Sequence, residues 1–284
     1  MARRLTAGEA AQFRSWFPHL NTGNVWVLAE ATPRYNCLAW ALGYTDRWVW
    51  PWQPNLPGLP AMSTYIRRWG YVPGQPAAAV VYGATASAIG HIGRFWVNQP
   101  SSKCGQSLMI THGWAELNYG IYGSNRQSYG RRAGAAALAA EEVTALESMP
   151  LVEATEQSDL PVLLAAEVDK LAELSEAVPA DARSAFDAAY ERWKAVLTTG
   201  DAAADSTGAR AMHSSEFVAA VAAARDAVPR LMDKLADPDE HFALLIAQQI
   251  LPPEVVPIYE PDDPLVLEGE HARALTTLGN WLHQ

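Results

Sequence analysis

The feature that most constrains the fold is a change in composition about halfway along the chain. Residues 1–130 carry ten basic and four acidic residues, a formal charge of +6, whereas residues 131–284 carry eleven and twenty-seven, a charge of −16. Nine of the eleven tryptophans lie at or before Trp114. Because 284 residues exceed one average domain, two domains are expected. The sequence predicts them at 1–130 and 161–284, with a linker at 131–160.

The first domain shows short helix and strand patterns. Thr6 and Glu9 have the spacing of a capping box, which predicts an opening helix. The apolar run CLAWAL at 37–42, closed by Gly43, predicts a buried helix. Helices followed by an antiparallel sheet make this domain α+β. The predicted strands lie at 77–83, 91–97 and 107–111, with a turn at 100–105 between the last two.

The second domain is predicted to be an all-α helical bundle. Its windows carry apolar residues at helical spacing and are separated by Pro or by Gly, Asp and Ser, as in TTGDAAADSTG. The negative charge then lies on a solvated helical surface. The domain is expected to recruit a protein partner, to shield the groove of the first domain, or to mediate self-association. The windows are 161–177, 181–197, 214–236, 239–250 and 269–282.

Several classes of protein are disfavoured by what the sequence lacks. No charge-free run of about 18 apolar residues occurs, and the start MARRLTAGEAAQ has no apolar stretch typical of a secretory signal. We therefore expect a cytoplasmic protein with no membrane partner. The two cysteines are too few for a disulfide framework. An acidic second domain repels a phosphate backbone, so no nucleic-acid partner is expected.

Cys37 is the candidate nucleophile. It opens the predicted buried helix, and the unpaired N–H groups at a helix N-terminus stabilise a thiolate. An imidazole that takes the thiol proton completes the activation, and His91, which opens a later strand, is the candidate base. His112, at the end of the next predicted strand, orients the His91 ring provided that the two strands are hairpin neighbours. Asn118 and Glu116 are weaker candidates for that role.

The residues around Cys37 predict a binding site for a carbonyl substrate. The backbone N–H of Cys37 is expected to meet the oxyanion, with Tyr35 or Asn36 as the second donor. The loop after the helix is rich in Pro and Trp, which excludes a regular helix. Aromatic faces bury large areas at small entropic cost. Trp50 and Trp52 are therefore expected to wall a groove for an extended peptide or glycan.

Several motifs of the first domain resemble an uncharacterised bacterial family. That family shares a YNC-[IL]-AWALG core, a THxA-type histidine and a W-x-SK-[LC]-G turn, and the likeness covers about residues 15–125. This sequence departs from the family in having Gly90 before the histidine and Cys104 in the turn. The matching segments are RYNCLAWALG at 34–43, RRWGY at 67–71, SSKCG at 101–105, and ITH followed by YGIYG.

The order Cys, His, His on helix, strand and strand is similar to that of the NlpC-type peptidases of the papain-like superfamily. The resemblance implies a papain-like fold and cleavage of peptide or amide bonds without a cofactor. The Asp-Cys-Ser signature common among those peptidases is missing, which leaves the substrate open. The expected function is a cysteine hydrolase or acyltransferase that acts on a peptide or protein substrate through Cys37, His91 and His112.

Two other interpretations use the same residues. Free cysteine is among the most buried residue types, so the alternative is a non-catalytic protein-interaction module that keeps a papain-like fold. A zinc site is the other alternative, but structural zinc sites usually use close pairs such as C-x2-C, and the sequence has none. No metal or cofactor is therefore expected. The zinc ligands of this alternative are Cys37, His91, Cys104 and His112.

Overall fold

The fold is described from a computed structural model of the full chain. Residues 132–160 of the predicted linker, and Trp52, lie outside the residues that the structure describes. Within the described residues, no helix is long and apolar enough to cross a membrane. The described residues are 2–50, 66, 70–73, 78–85, 88–96, 99–131, 162–206, 208–259 and 264–284.

The first half is built on one antiparallel sheet with helices on both faces. In the part that the structure describes, the helices are α1 (Ala7–Trp16) and α2 (Cys37–Leu42). The strands pair in the order β1-β2-β7-β6-β5-β4-β8-β3, which confirms the predicted α+β class. They are β1 (Arg3–Arg4), β2 (Trp26–Ala29), β3 (Tyr71–Pro73), β4 (Ala79–Gly83), β5 (Ile89–Trp96), β6 (Gln99–Lys103), β7 (Met109–Thr111) and β8 (Asn125–Arg131).

Strand β6 is the main departure from the predicted elements. A turn was predicted at 100–105, but Gln99–Lys103 pairs with β5 on one side and with β7 on the other. Pro and Ser favour a turn locally, yet the hydrogen bonds of two neighbouring strands hold this segment extended. As a result, the strands of His91 and His112 are not hairpin neighbours, because β6 lies between them.

Both faces of the sheet are buried. Along β4, Ala79 and Val81 belong to one hydrophobic cluster, whereas Val80 and Tyr82 belong to another. This division follows from the alternation of side chains along a strand. Helix α2 belongs to the first cluster and helix α1 to the second. We call the two sides of the sheet the α2 face and the α1 face.

The described part of the second half is helical, as predicted. Many of its apolar residues belong to the same cluster as α2, so these helices cover the α2 face of the sheet. Short 3-10 helices lie at Gly200–Ala204, Pro238–Glu240 and Pro264–Glu268. The α-helices are α3 (Ala165–Glu176), α4 (Ala180–Leu197), α5 (Ala209–Met212), α6 (Ser215–Ala224), α7 (Val228–Leu235), α8 (Ala243–Ile250) and α9 (Gly269–Leu282).

The loop that follows α2 joins the two halves. The Trp48 ring contacts the Phe242 ring edge to face, with 5.0 Å between the ring centroids. The Trp48 carbonyl accepts a hydrogen bond from the backbone N–H of Glu270 at 2.7 Å. Arg47 forms an ion pair with Glu268 at 3.1 Å. The residues next to the candidate nucleophile are therefore held by the helical half.

Candidate functional site

Helix α2 places Cys37 at its first position. Asn36 caps the helix, since its Oδ1 accepts a hydrogen bond from the N–H of Ala39 at 2.9 Å. The Asn36 Nδ2 donates to the carbonyl of Val49 at 2.9 Å. Gly43 ends the helix in the left-handed region, with φ of 99°. Both ends of the Asn36 amide therefore hold the start of α2 and the loop that follows it.

The Cys37 thiol is fully buried, with 0% of the residue exposed. Its Sγ lies 3.3 Å from the Oγ of Ser206, a residue of the second half. Burial raises the pKa of the thiol, and the Ser206 hydroxyl and the backbone N–H groups of Ile92 and Leu38 only partly oppose this rise. The site therefore favours a neutral thiol over a thiolate.

The His91 ring is also fully buried, but among different side chains. It stacks on Tyr122, with ring centroids 3.8 Å apart and an interplanar angle of 2°. Among the described residues, neither ring nitrogen of His91 has a hydrogen-bond partner. Burial, with a smaller contribution from the nearby His112, lowers the pKa of His91 well below its ordinary value. The ring is therefore held as neutral imidazole.

The structure does not bring the Cys37 thiol and the His91 ring together. Ile92 belongs to the same cluster as Cys37, whereas Tyr82 and Tyr122, the ring neighbours of His91, belong to the other. Because successive residues of a strand point to opposite faces, the His91 ring lies on the α1 face and the Cys37 thiol on the α2 face. The hydrogen bond expected between nucleophile and base is not formed.

A strand irregularity lies just before His91. Tyr82 of β4 pairs with His91, but the next residue, Gly83, pairs with Ile89. Gly90 is therefore an extra residue between two paired positions, as in a β-bulge. His91 itself belongs to the regular part of the pairing, with Ile92 opposite Val81, so its ring follows the alternation of side chains along β5. Only the glycine hints at this irregularity in the sequence.

His112 is bonded to neighbours other than His91. Its Nδ1 lies 2.9 Å from the carbonyl oxygen of Gly113, which can only accept, so Nδ1 carries the proton. Its Nε2 lies 2.8 Å from the Ser102 Oγ and accepts from that hydroxyl. Burial lowers the pKa of His112 to about 4. With both nitrogens engaged, His112 does not orient the His91 ring here.

The other predicted site residues lie in well-packed positions. The Tyr35 hydroxyl contacts a methionine sulfur at 3.8 Å, and burial raises the pKa of Tyr35 to about 12. Trp50 is buried, with 5% exposed, and so does not wall an open groove. The Glu116 carboxylate accepts the backbone N–H of Gly113 at 2.6 Å. Within the described residues, the Oδ1 of Asn118 has no hydrogen-bond partner.

Residues 203–206, which we call the covering segment, lie over Cys37. They belong to the Gly-, Asp- and Ser-rich break between two predicted helices, and nothing in the sequence marked them as part of a site. The Ala203 carbonyl accepts hydrogen bonds from the backbone N–H groups of Gln106 at 2.7 Å and of Ser107 at 3.2 Å. These donors belong to the loop between β6 and β7.

Two side chains of the first half complete the contacts of the covering segment. The Tyr122 hydroxyl donates to the Ala204 carbonyl at 3.0 Å, and the Trp48 Nε1 donates to the Ser206 carbonyl at 3.2 Å. Ala204 and Ser206 are buried, with 0% and 2% exposed. The segment is thus held through three carbonyl oxygens and through the contact between the Ser206 hydroxyl and the Cys37 thiol.

Lys103 and Gly105 shape the loop that receives the covering segment. The Lys103 Nζ donates to the carbonyl oxygens of Thr32 at 3.0 Å, Gly105 at 2.5 Å and Ser107 at 2.7 Å. Burial lowers the pKa of Lys103 to about 7. Gly105 has φ of 53°, and a Cβ there would lie 2.5 Å from the Ala203 oxygen. A glycine is therefore needed for this close approach.

An open cleft of about 370 Å³ adjoins the covering segment. It lies between the turn after β4 and the start of α5. The cleft reaches the neighbours of the His91 ring, but Cys37 is not among its lining residues. Its lining includes Gly90, Tyr122, Asp205, Arg210 and His213.

The four ligands of the zinc alternative are not assembled into a metal site within the described residues. Cys37, His91, Cys104 and His112 all lie within the described residues, where no group of three or more His, Cys, Asp or Glu side chains is placed to hold a metal ion. Cys37 belongs to the cluster on the α2 face, whereas Cys104 belongs to the cluster on the α1 face. Two of the proposed ligands therefore pack in different clusters.

The fold and the site define the class of protein: an α+β domain with a buried, helix-borne thiol that a helical half covers. Residues 26–130 match the family model of a domain of unknown function, DUF7689. The matched region runs from β2 to β8 and contains Cys37, His91 and His112, but it is less than half of the chain. No curated protein and no solved structure matches the chain significantly.

Proposed function

We propose that the first half of this protein is a non-catalytic peptide-binding module with a papain-like arrangement. Its groove lies between the loop after α2, the β6–β7 loop and Tyr122. The covering segment carries this proposal, because three of its carbonyl oxygens accept hydrogen bonds from the groove. Hydrogen bonds to the main chain are a common source of affinity in peptide recognition. Cys37 is then a contact residue for the bound peptide.

The state of the two candidate catalytic groups supports a non-catalytic role. A nucleophilic cysteine must reach its thiolate form, but burial raises the pKa of Cys37. A base must contact the proton that it removes, but the His91 ring has no hydrogen bond to the thiol. The arrangement thus favours binding over acyl transfer.

The reactivity of Cys37 tests the proposal. We expect the native protein to leave Cys37 unmodified by iodoacetamide at neutral pH, as measured by mass-spectrometric peptide mapping. The equally buried Cys104 serves as an internal reference, and denatured protein shows that both thiols can be labelled. His91→Ala is expected to change nothing. The proposal fails if Cys37 reacts with a pH dependence in the histidine range and His91→Ala slows that reaction at least about tenfold.

A cysteine hydrolase or acyltransferase is the second candidate, and the unsatisfied His91 ring favours it. Leaving a buried polar group without a hydrogen bond costs about 1–3 kcal/mol, and such groups call for an explanation. A one-residue change in the register of β5 at His91 would turn its ring towards the α2 face. Cys37 would then attack a peptide or amide carbonyl. His91 would transfer the thiol proton to the leaving amine, and water or an amine would release the acyl group.

A variant with one glycine inserted between His91 and Ile92 tests this second candidate. The insertion leaves Ile92 opposite Val81 and moves His91 by one position along β5, which should turn its ring towards the α2 face and Cys37. If the hydrolase proposal is correct, Cys37 should react with a thiol-directed activity probe at least about tenfold faster than in the wild type. Adding His91→Ala should abolish the gain. An unreactive Cys37 in a folded insertion variant, measured by circular dichroism and peptide mapping, contradicts the hydrolase.

A further inference from the structure

We infer that the open cleft beside the covering segment binds a free α-amino acid with an apolar side chain, in its zwitterionic form. The cleft has a volume of about 370 Å³, and residues of both halves line it. Sites for small molecules often lie at such boundaries and have volumes from about 300 Å³ upwards. This site is independent of the proposed peptide binding, because the ligand occupies the cleft and leaves the covering segment in place.

The first half contributes an apolar wall to the cleft. Ala84 and Ala88 are exposed there, and Ile121 is partly exposed. Among the described residues, none that the first half places in the lining carries a formal charge. Gly90 adds space, because a Cβ at this position would meet no atom within 4 Å. The wall therefore suits an apolar side chain, since removing apolar surface from water is favourable.

The second half places ionisable side chains of both signs in the lining. They are Asp205, Arg210 and His213. In the part of the chain that the structure describes, no other Asp, Glu, Lys, Arg or His lines the cleft. A ligand with a single charge would meet a group of like charge, whichever sign it carried. A zwitterion instead finds a partner of opposite sign for each of its charges.

The Arg210 guanidinium can receive the ligand carboxylate. Its Nη2 donates to the Ile121 carbonyl at 2.9 Å, and its Nη1 lies 3.6 Å from an Asp201 oxygen. A guanidinium has about five N–H donors, in a fork that matches a carboxylate, so donors remain for a ligand. The pair with Asp201 is solvent-exposed, and such pairs contribute little. His213, which is exposed, adds a further polar group beside Arg210.

The Asp205 carboxylate can receive the ligand ammonium. Its Oδ2 accepts the backbone N–H of Arg210 at 2.9 Å, and the residue has further contacts. An ionised carboxylate has about four acceptor sites, so it can accept several hydrogen bonds at once. Asp205 is partly exposed and lines the cleft. Contacts to Arg210, to Asp205 and to the apolar wall hold the ligand at three points, which distinguishes the L from the D enantiomer.

Isothermal titration calorimetry of the full chain with L-leucine and with L-phenylalanine tests the inference. We expect a Kd below about 1 mM for at least one of them. Analogues that each lack one feature are isocaproate, without the ammonium, isoamylamine, without the carboxylate, and glycine, without the apolar side chain. Each of these, and D-leucine, should bind at least about tenfold more weakly than L-leucine, because one contact is lost.

A glycine variant locates the site. Gly90→Leu places a side chain in the open space of the cleft and should weaken amino-acid binding at least about tenfold. Gly8→Leu is the matched control, because Gly8 is an exposed glycine of α1 where a Cβ also meets no atom within 4 Å. The control should change the Kd by less than about twofold.

Two charge variants assign each end of the ligand. Arg210→Gln removes the partner of the carboxylate, so L-leucine should lose its advantage over isoamylamine. Asp205→Asn keeps an acceptor for the Arg210 N–H but removes the charge, so L-leucine should lose its advantage over isocaproate. Unchanged preferences in both variants would show that these residues do not hold the ligand, and the inference would be overturned.

The remaining outcomes also decide. If neither amino acid binds at about 10 mM, or if isocaproate or isoamylamine binds as tightly as L-leucine, the ligand class is wrong. Equal binding by Gly90→Leu and Gly8→Leu places the site outside the cleft and overturns the inference. Should Gly90→Leu not fold by circular dichroism, Arg210→Gln decides, because the Arg210 side chain is exposed. None of these results affects the iodoacetamide test of peptide binding, which measures Cys37.

Discussion

At Cys37, the effect of burial on the pKa of the thiol outweighs the effect of the helix N-terminus. The macrodipole and the free N–H groups stabilise a charge by about 0.3–1 kcal/mol, which is less than one pKa unit of about 1.4 kcal/mol. Full burial shifts a pKa by up to about 3–5 units. The thiol is 0% exposed, and its pKa is raised. The sequence pattern identified the helix start, but it left covering by the second half as one of three expected roles and did not identify the residues that lie against Cys37.

His112 should make the fold sensitive to acid. Burial lowers its pKa from 6.5 to about 4. Between these values the unfolded chain binds a proton that the folded chain does not. The contribution to the free energy of unfolding is therefore complete above about pH 6.5 and is lost as the pH falls towards about 4. A shift of this size corresponds to about 3 kcal/mol. Urea denaturation at several pH values should show this decline.

The variant His112→Asn isolates this contribution, because the amide keeps a donor for the Gly113 carbonyl but does not titrate in this range. We expect the loss of unfolding free energy between neutral pH and about pH 4 to be roughly 3 kcal/mol smaller than in the wild type. His19→Asn, at an exposed histidine, should leave the decline unchanged. Equal declines in wild type and His112→Asn would show that another group controls the acid response.

At the scale of elements, the sequence predicted α2 and β5 well, because the residues that define these elements lie within them or next to them in the chain. The Asn36 cap and Gly43 bound α2 as expected, and the apolar strand around His91 runs from Ile89 to Trp96. Strand β6 was missed because its Pro and Ser residues indicate a turn, whereas its pairing partners are set by the topology.

The face on which His91 lies could not be predicted for a similar reason. Both faces of the sheet are buried, so the pattern of apolar residues along β5 does not reveal which face each side chain enters. The covering segment was missed because its partners, such as Trp48 and Tyr122, are distant in sequence. The candidate site was therefore predictable as a set of residues but not as an arrangement.

Alanine variants at two glycines distinguish the cost of backbone strain from the cost of contact with the covering segment. Gly105 and Gly200 both have φ of 53°, so alanine at either costs about 1–2 kcal/mol. Nothing lies near a Cβ at Gly200, but one at Gly105 would meet the Ala203 oxygen at 2.5 Å. Gly105→Ala should therefore lose about 1–3 kcal/mol more in urea denaturation than Gly200→Ala.

The variants Gly105→Ala and Gly200→Ala should also differ in the reactivity of Cys37 with iodoacetamide. Gly105→Ala pushes against the covering segment and should let iodoacetamide reach the thiol, whereas Gly200→Ala should leave it protected. Peptide mapping after labelling measures both. Equal stability losses and equal protection would show that the close approach at Gly105 does not hold the segment in place.

At the scale of the whole molecule, the two compositional halves share one hydrophobic cluster. That cluster includes Trp40 and Trp48 of the first half and Leu231 and Phe242 of the second. A change in charge and aromatic content marks where the chain changes composition, but it does not show how the parts pack. The helical half closes one face of the sheet, so the stability of each half should depend on the other.

Phe242→Ala tests this dependence. The Phe242 ring is 8% exposed and packs 5.0 Å from the Trp48 ring, so its removal should cost about 3–5 kcal/mol. Most tryptophans lie in the first half, so their fluorescence reports mainly on the sheet, whereas far-UV circular dichroism reports mainly on the helices. In urea, both signals should show one coincident transition that shifts equally in Phe242→Ala. Val218→Ala, at a 65% exposed position of α6, should shift neither. If only the circular dichroism transition moves, the halves unfold independently, and the covering segment can leave Cys37 without unfolding the sheet.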